Sequence, residues 1–375
     1  MKLTIGEVRE LIARFVSDGV SADPVPFGGG HINDTYLFEC KKQGAPIRYI
    51  LQRVNTKAFP KPHEVMENMH RVTEYLRERI GELGGDPTRE TLELSKTQDG
   101  HFFAVDHHGD SWRVYRFVDD TITYDRAENP QIMAESGRAF GRFLCMLDGF
   151  DAATLHETIE RFHDTPNRYL AFHEAVRRNP AGRAAEVQKE IQEVLRYEPF
   201  APTLVSALSA GKLPLRVTHN DTKLNNVLFD SQTERALCVI DLDTVMPGLT
   251  AYDFGDAIRF GASTADEDEP DLAKVHFSLP LYRAYAEGFL EEAGAILTNA
   301  ELRSLPDGVK MMTLESAVRF LTDYLNGDTY FKTAYPEHNL VRARTQIKLL
   351  EEIDAHWQEL LSVVHLPVKE IAKDE

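Results

Sequence analysis

Cysteine is scarce in this chain, with Cys40, Cys145 and Cys238 its only three in 375 residues. They lie far apart and form no C-x-x-C pair, which argues against a zinc site or a disulfide framework and for a reducing compartment. Positive charge is short as well: 42 Lys and Arg face 60 Asp and Glu, leaving a net charge of −18. Nucleic-acid affinity rests largely on cationic contacts to phosphate, so no nucleic-acid partner is expected. Long apolar runs are missing too, none approaching the roughly 18 residues of a membrane span. The opening residues carry Glu7, Arg9, Glu10 and Arg14 among their apolar positions. That is the pattern of an amphipathic helix and not of a signal peptide. No internal repeat and no low-complexity segment interrupts the chain. The expectation is a cytoplasmic protein with no membrane partner, long enough for two lobes that each bury a core.

The apolar pattern supplies the elements. Thr4 and Glu7 form a T-x-x-E capping box that opens a first helix. Short strands are expected at 24–27 and 32–40, with Gly28, Gly29, Gly30 and His31 between them. Such a cluster serves either as a hairpin turn or as a loop whose backbone amides close on phosphate. A third strand follows at 47–54, then a helix from Pro62 with Val65, Met69, Val72 and Leu76 as its inward stripe. Further strands are expected at 102–106 and 112–118. Strands around one helix make a small α+β lobe, residues 1–118. The polar run 119–130 reads as a connection to a second, mostly helical lobe, 131–375. Helices are expected there at 132–147, 168–176, 184–197, 203–210, 271–297, 309–325 and 336–361.

One stretch interrupts those helices. From Arg216 to Val245, apolar runs alternate with tight polar loops, as short buried strands do. The first loop holds His219, Asp221, Lys223 and Asn226 in the spacing H-x-D-x-K-x-x-N, and the last strand ends at Asp241 and Asp243. Phosphoryl transfer asks for positioning, metal on the phosphates and a group that orients the hydroxyl nucleophile. Asp221 is the candidate for accepting the hydroxyl proton. Asn226 offers a neutral oxygen and Asp241 a carboxylate, both hard donors suited to Mg²⁺. Asp243 faces the same way in an extended strand and is either a second metal contact or a salt-bridge partner. Lys223 either balances charge on the transferred phosphoryl or is a solvated surface lysine. His219 is expected to support the loop by packing and hydrogen bonds. The letters D-F-G at 253–255 stand 32 residues past Asp221. Asp253 is therefore read as structural, bonding back to the loop near a helix start.

With these residues in hand, the chain resembles the aminoglycoside phosphotransferase and choline kinase superfamily. Its signature H-G-D-x-x-x-x-N, then I-D, then an x-D-L-A-like segment appears here as THNDTKLNN, VIDLDT and AYDFGD. Within that superfamily the chain looks most like the N-acetylhexosamine 1-kinases. GGGHINDTY, YILQRVN, GRAFGRF, HDTPNR, IDLDTVMPG, DFGDAIRFGAS and YPEHNLVRARTQIKL carry the likeness, from about Gly28 to Leu350. The resemblance implies a protein-kinase-like two-lobe α+β fold, with a small antiparallel-sheet nucleotide lobe and a larger helical lobe. It implies ATP- and Mg²⁺-dependent phosphorylation of the anomeric hydroxyl of N-acetylglucosamine or N-acetylgalactosamine; a monomer is expected. Carried over by position, Asp221 is the base, Asn226 with Asp241 holds Mg²⁺, and Thr222 and Lys223 lie near the sugar and γ-phosphate. Arg319 and Tyr330 would hold the sugar. Gly29, Gly30 and His31 would belong to the nucleotide loop, and adenine would meet the backbone of Phe117, Val118 and Asp119.

One departure stands out. Related kinases carry a Lys on the third strand that reaches the α- and β-phosphates. Here YILQR puts Gln52 in that register, with Arg53 on the opposite strand face. The phosphate contact of the small lobe is thereby unassigned. Two other readings stay open. One is a kinase of the same fold for another sugar, an amino alcohol or an aminoglycoside, for which the run 266–269 is the acidic candidate. The other is a nucleotide-binding pseudokinase, against which the intact Asp221, Asn226 and Asp241 argue.

Overall fold

Thr4 caps the first helix as its sequence predicts. Its side chain accepts from the Glu7 amide, and the Glu7 carboxylate accepts from the Thr4 amide at 2.6 Å. The computed structural model describes residues 3–16, 20–28, 34–42, 45–127 and 129–364. Gly29, Gly30 and His31 lie outside the described residues. The chain divides into two units, and the first comprises Met1–Thr123, Gly149–Glu160 and Val227–Met246.

In the first unit, α1 (Ile5–Ala13) buries Val8, Leu11 and Ile12 in a core shared with Tyr36, Phe38, Leu51, Trp112 and Val114. Those residues come from an antiparallel sheet. Its strands are β1 (Val25–Pro26), β2 (Thr35–Lys42), β3 (Ala45–Arg53), β4 (Leu94–Ser95), β5 (Ala104–Val105) and β6 (Ser111–Arg116). The order is β1-β2-β3-β6-β4, with β5 also on β6. In this register Gln52 lies directly opposite Arg113, so the two side chains share one face of the sheet. Helix α2 (Pro62–Glu82) buries the predicted stripe Val65, Met69, Val72 and Leu76, and Asn68 with it.

The expected connection contains a strand, β7 (Thr121–Ile122), which pairs with Val227–Asp230. That strand forms an antiparallel hairpin with Ala236–Val239. This pairing brings Val227–Met246 into the first unit, beyond the expected 1–118. Asn68 brings in Gly149–Glu160: its Nδ2 donates to the His156 carbonyl at 2.8 Å, and its Oδ1 accepts from the His156 amide at 2.8 Å.

The second unit is mainly helical. It holds α3 (Pro130–Met146), α4 (Thr165–Arg178), α5 (Gln188–Tyr197), α6 (Thr203–Ser209) and α7 (Thr250–Gly261). It continues with α8 (Leu279–Ala293), α9 (Asn299–Leu325), α10 (His338–Ala355) and α11 (Trp357–Val364). One core joins α4, α5, α9 and α10 through Phe172, Val194, Val318, Leu321 and Leu350. Helix α9 is buried along most of its length, and α7 crosses it backbone to backbone. A Cβ added at Gly308 would lie 1.9 Å from the Ala251 carbonyl oxygen, so only glycine permits that approach.

Three helix boundaries differ from expectation. Helix α8 starts at Leu279, not near 271, because Ser278 caps it and Pro280 sets its first turn. Helix α9 starts ten residues before 309 and runs through Pro306, because a second capping box, Thr298 with Glu301, anchors its start. The last predicted helix is broken at His356 into α10 and α11.

Candidate active site

The stretch His219–Asn226 follows a short strand, Arg216–Thr218, and closes in a single 3₁₀ turn, Leu224–Asn226. Asn220 is left-handed at φ 62°, a conformation that needs outside support in a residue with a side chain. Asp253 provides it from the first turn of α7. One carboxylate oxygen accepts from the His219 amide and the other from the Asn220 amide, both at 2.7 Å. Burial pushes the Asp253 carboxyl up to about 6, against the pull of His219 and the two amide bonds. Thr222, expected near the sugar, is fully buried, and its hydroxyl donates to the Asp253 carbonyl at 2.6 Å. His219 is equally buried: Phe140 and Phe143 meet its ring edge-on, and its Nδ1 accepts from the Asp221 amide at 3.2 Å.

These anchors leave Asp221 half-buried at the surface of the loop, with Lys223 Nζ 2.8 Å from Oδ1. Burial alone would raise the Asp221 carboxyl. Lys223, by charge and hydrogen bond, together with His219 and Arg259 outweighs it and holds the group below the usual carboxylate range. Lys223 is in turn held protonated, chiefly by Asp221 and against its own burial, with Asp256 and Glu267 adding to the effect. Asn226 Nδ2 donates to the Asp221 carbonyl at 2.8 Å and to Oδ2 at 3.3 Å. Its nitrogen is thus used within the loop, which leaves its oxygen to offer a cation.

Asp241 and Asp243 belong to the first unit. Asp241 follows the hairpin in a left-handed conformation, φ 59° and ψ 56°, with its side chain exposed. Asp243, two residues on, is 4% exposed and forms a salt bridge with Arg113, itself 1% exposed. Of the two roles open to Asp243, that is the salt-bridge one. Gln52 belongs to the same group: its Oε1 accepts from Arg113 Nε at 3.1 Å and Nη2 at 2.6 Å. Arg53 faces the other side and pairs with Asp34 at 2.9 Å and Asp110 at 3.3 Å. Further along, the Phe117 amide donates to the Arg48 carbonyl, the Val118 carbonyl accepts from Thr121, and Asp119 pairs with Arg48. Taken each in its own unit, the Asn226 amide oxygen and the exposed Asp241 carboxylate are hard donors of the type Mg²⁺ takes.

Arg319 and Tyr330 also come together, in the second unit. The Arg319 guanidinium lies 5.9 Å from the Tyr330 ring centre, 5.4 Å from Phe331 and 5.6 Å from Phe162. The 329–331 backbone is fixed by Asp323, whose carboxylate accepts from the amides of Thr329, Tyr330 and Phe331 at 2.8–2.9 Å. Sequence reasoning missed three members of this cluster. Arg168 has its proton affinity lowered by burial and by the neighbouring Arg319. Glu315, 1% exposed, binds His163 Nδ1 at 3.0 Å and the Thr165 hydroxyl at 2.8 Å. His163 Nε2 and Arg168 Nε are buried with no hydrogen-bond partner among the described residues. The phrase HDTPNR was the one available signal, since it carries both His163 and Arg168.

A mixed α+β chain with an antiparallel-sheet region and a larger helical part has the protein-kinase-like fold, and the family model that matches it makes it a small-molecule phosphotransferase. The chain belongs to the phosphotransferase enzyme family (APH), whose model matches residues 23–288. Its fold is shared with a spectinomycin phosphotransferase solved with ADP and spectinomycin, at 12% identity and TM-score 0.58, over 96% of this chain and 100% of that one. A microcompartment-associated aminopropanol kinase matches at 16% identity and TM-score 0.54, over 96% and 99%. A choline/ethanolamine kinase family protein from Mesorhizobium loti matches at 17% and 0.51, over 96% and 98%. Among the described residues, no helix is long and apolar enough to cross a membrane.

Proposed function

We propose that this phosphotransferase moves the γ-phosphoryl group of ATP, with Mg²⁺, onto the anomeric hydroxyl of an N-acetylhexosamine. The pair Arg168 and Arg319 carries the reading. Neither guanidinium is in an ion pair among the described residues, and burial together with the charge of Arg319 weakens the hold of Arg168 on its proton. Guanidinium donors beside aromatic rings suit a planar, electron-rich group such as an acetamide carbonyl. They repel an ammonium group. The acidic run that a cationic acceptor would want is already paired internally. Arg126 meets Asp266 at 3.5 Å, Arg259 meets Glu267 at 2.7 Å, His338 meets Asp268 at 2.9 Å and Lys274 meets Glu269 at 3.4 Å.

In the reaction, Asp221 accepts the proton of the anomeric hydroxyl while that oxygen bonds the γ-phosphorus. The bridging bond to the β-phosphate breaks and ADP leaves. An anomeric hydroxyl is more acidic than an ordinary alcohol, so a carboxylate of depressed proton affinity suffices. Lys223 keeps Asp221 ionised, while His219, Thr222 and Asp253 hold the loop's shape. Magnesium, held by the Asn226 oxygen and the Asp241 carboxylate, would neutralise phosphate charge as it develops. The backbone at Phe117, Val118 and Asp119 is assigned to adenine, and Gly29, Gly30 and His31 to the phosphates.

Turnover on N-acetylglucosamine, N-acetylgalactosamine, glucosamine, choline and kanamycin, with products read by ³¹P NMR, tests the proposal. An anomeric phosphate on the acetamido sugars is expected, with kcat/KM for glucosamine lower by about tenfold or more, since like-charge juxtaposition is costly. Silence with every N-acetylhexosamine, or efficient turnover of choline or kanamycin, overturns the reading.

A further inference from the structure

Third-strand lysine is replaced here by Gln52, whose amide oxygen accepts from Arg113. A buried cation of the first unit stands on the neighbouring strand of the sheet. Arg113 reaches across from β6: its Nη1 meets Asp243 and lies 3.5 Å from Met69 Sδ, while Nε and Nη2 hold Gln52. Burial opposes its charge, yet Asp243, Tyr115 and Asp241 more than offset that, and the guanidinium stays protonated. A side chain 1% exposed and held on two sides does not swing out to a phosphate without breaking its buried pair.

The partner anion is placed with consequence. Asp243 lies in the turn Leu242–Thr244 that begins at Asp241. Asp241 is left-handed, and such a conformation in a non-glycine residue costs about 1–3 kcal/mol and persists only where its surroundings enforce it. Two clamps act on this turn. Arg113 holds Asp243, and Asn68 Nδ2 of α2 donates to the Val245 carbonyl at 3.0 Å. Asn68 is itself 1% exposed, so its clamp is as rigid as the helix that carries it.

We propose that Arg113 is a positioning residue: through Asp243 it fixes Asp241 in its left-handed conformation, so that metal affinity depends on a side chain touching neither metal nor nucleotide. The proposal rests on the reading of Asp241 as a metal ligand. Its analogue elsewhere is the outer-sphere partner that orients a ligating carboxylate. Here the partner acts two residues along the chain, through the turn, and not on the ligand itself.

The test measures binding of a fluorescent ADP analogue to the full chain as a function of Mg²⁺, alongside its affinity without metal. The variants are Arg113→Met, Arg113→Lys, the double variant Arg113→Met with Asp243→Leu, and Asp241→Asn as reference. Replacing both partners of a buried pair by apolar groups preserves folding where removing one does not. The double variant is therefore expected to melt near the wild type while still requiring about 10-fold or more Mg²⁺ for half-saturation. Arg113→Lys is expected to fall between it and the wild type. Metal-free affinity should change by less than about threefold, because the affected partner belongs to the metal. A folded double variant with wild-type Mg²⁺ dependence overturns the proposal. Loss of metal-free affinity also overturns it, since Arg113 would then contact phosphate directly. Unchanged Mg²⁺ dependence in Asp241→Asn removes Asp241 from the metal and the clamp's purpose with it, a failure separate from that of the acceptor assignment.

Discussion

Lys223 sits 2.8 Å from the Asp221 carboxylate, and the two shift each other's proton affinity in opposite directions. The consequence for rate is signed. A base of depressed pKa stays ionised at neutral pH, and activity limited by it is lost only as pH falls below the ordinary value of about 3.9. In Lys223→Met the burial that raises Asp221 remains, while the leading opposing charge is gone. The acid limb of kcat/KM should therefore move upward toward neutrality, and Lys223→Arg should leave it in place. A limb at the same pH in all three proteins would detach Lys223 from the base. The loop residues were legible in sequence because eight consecutive positions carry the whole spacing. Arg113 was not, because Ser111, Trp112, Arg113 and Val114 are all buried, and a strand covered on both faces shows no alternation to read. His163 and Arg168 share one segment and Glu315 stands one turn before Arg319 on α9, so what the sequence hides is that folding brings those two segments together.

At the scale of elements, α7 links the loop to the helical core. Its Asp253 carboxylate holds two loop amides, and its backbone crosses α9 at Gly308. Because burial raises the Asp253 pKa to about 6, the folded chain binds this proton more tightly than the unfolded chain. Stability from this group is full below about pH 4 and declines as pH rises through the window to about 6, then levels off. Asp253→Asn removes that slope and, with a single acceptor oxygen, leaves one amide without its partner at a cost of about 1–3 kcal/mol. The urea midpoint of the variant should thus fall furthest below the wild type near pH 4.5 and approach it near pH 7.5. A gap that widens with pH would contradict the assignment. The apolar pattern places the start of α9 at Val309, although the helix runs on through Pro306 from Asn299. The capping box at Thr298 and Glu301, with Glu301 also held by Arg216 Nε at 2.9 Å, carries the helix through that proline. The box was present in the sequence and had the greater weight.

At the scale of the molecule, the two units are not successive lengths of chain. The first is completed by Gly149–Glu160 and Val227–Met246, segments that follow long stretches of the second. Sequence patterning gave both lobes their character, strands in one and helices in the other. It could not give this interleaving, because β7 is two residues long and its partner strand lies about a hundred positions later. The interleaving has a measurable cost. A fragment ending at Thr123 keeps the sheet and α2 but loses Asp243, the anion that neutralises Arg113 inside the core. It also loses the His156 and Val245 backbone groups that satisfy the buried Asn68 amide, and the strand that pairs with β7. Leaving a buried charge without its partner costs about 3–5 kcal/mol, a large share of the 5–15 kcal/mol that holds a typical domain together. The 1–123 fragment should therefore show no cooperative urea transition by circular dichroism. Arg113→Met in the same fragment should recover part of the lost structure, since the penalty it removes is the unpaired guanidinium. Cooperative unfolding of the unmodified fragment would mean that the sheet and α2 need neither the hairpin nor its carboxylate.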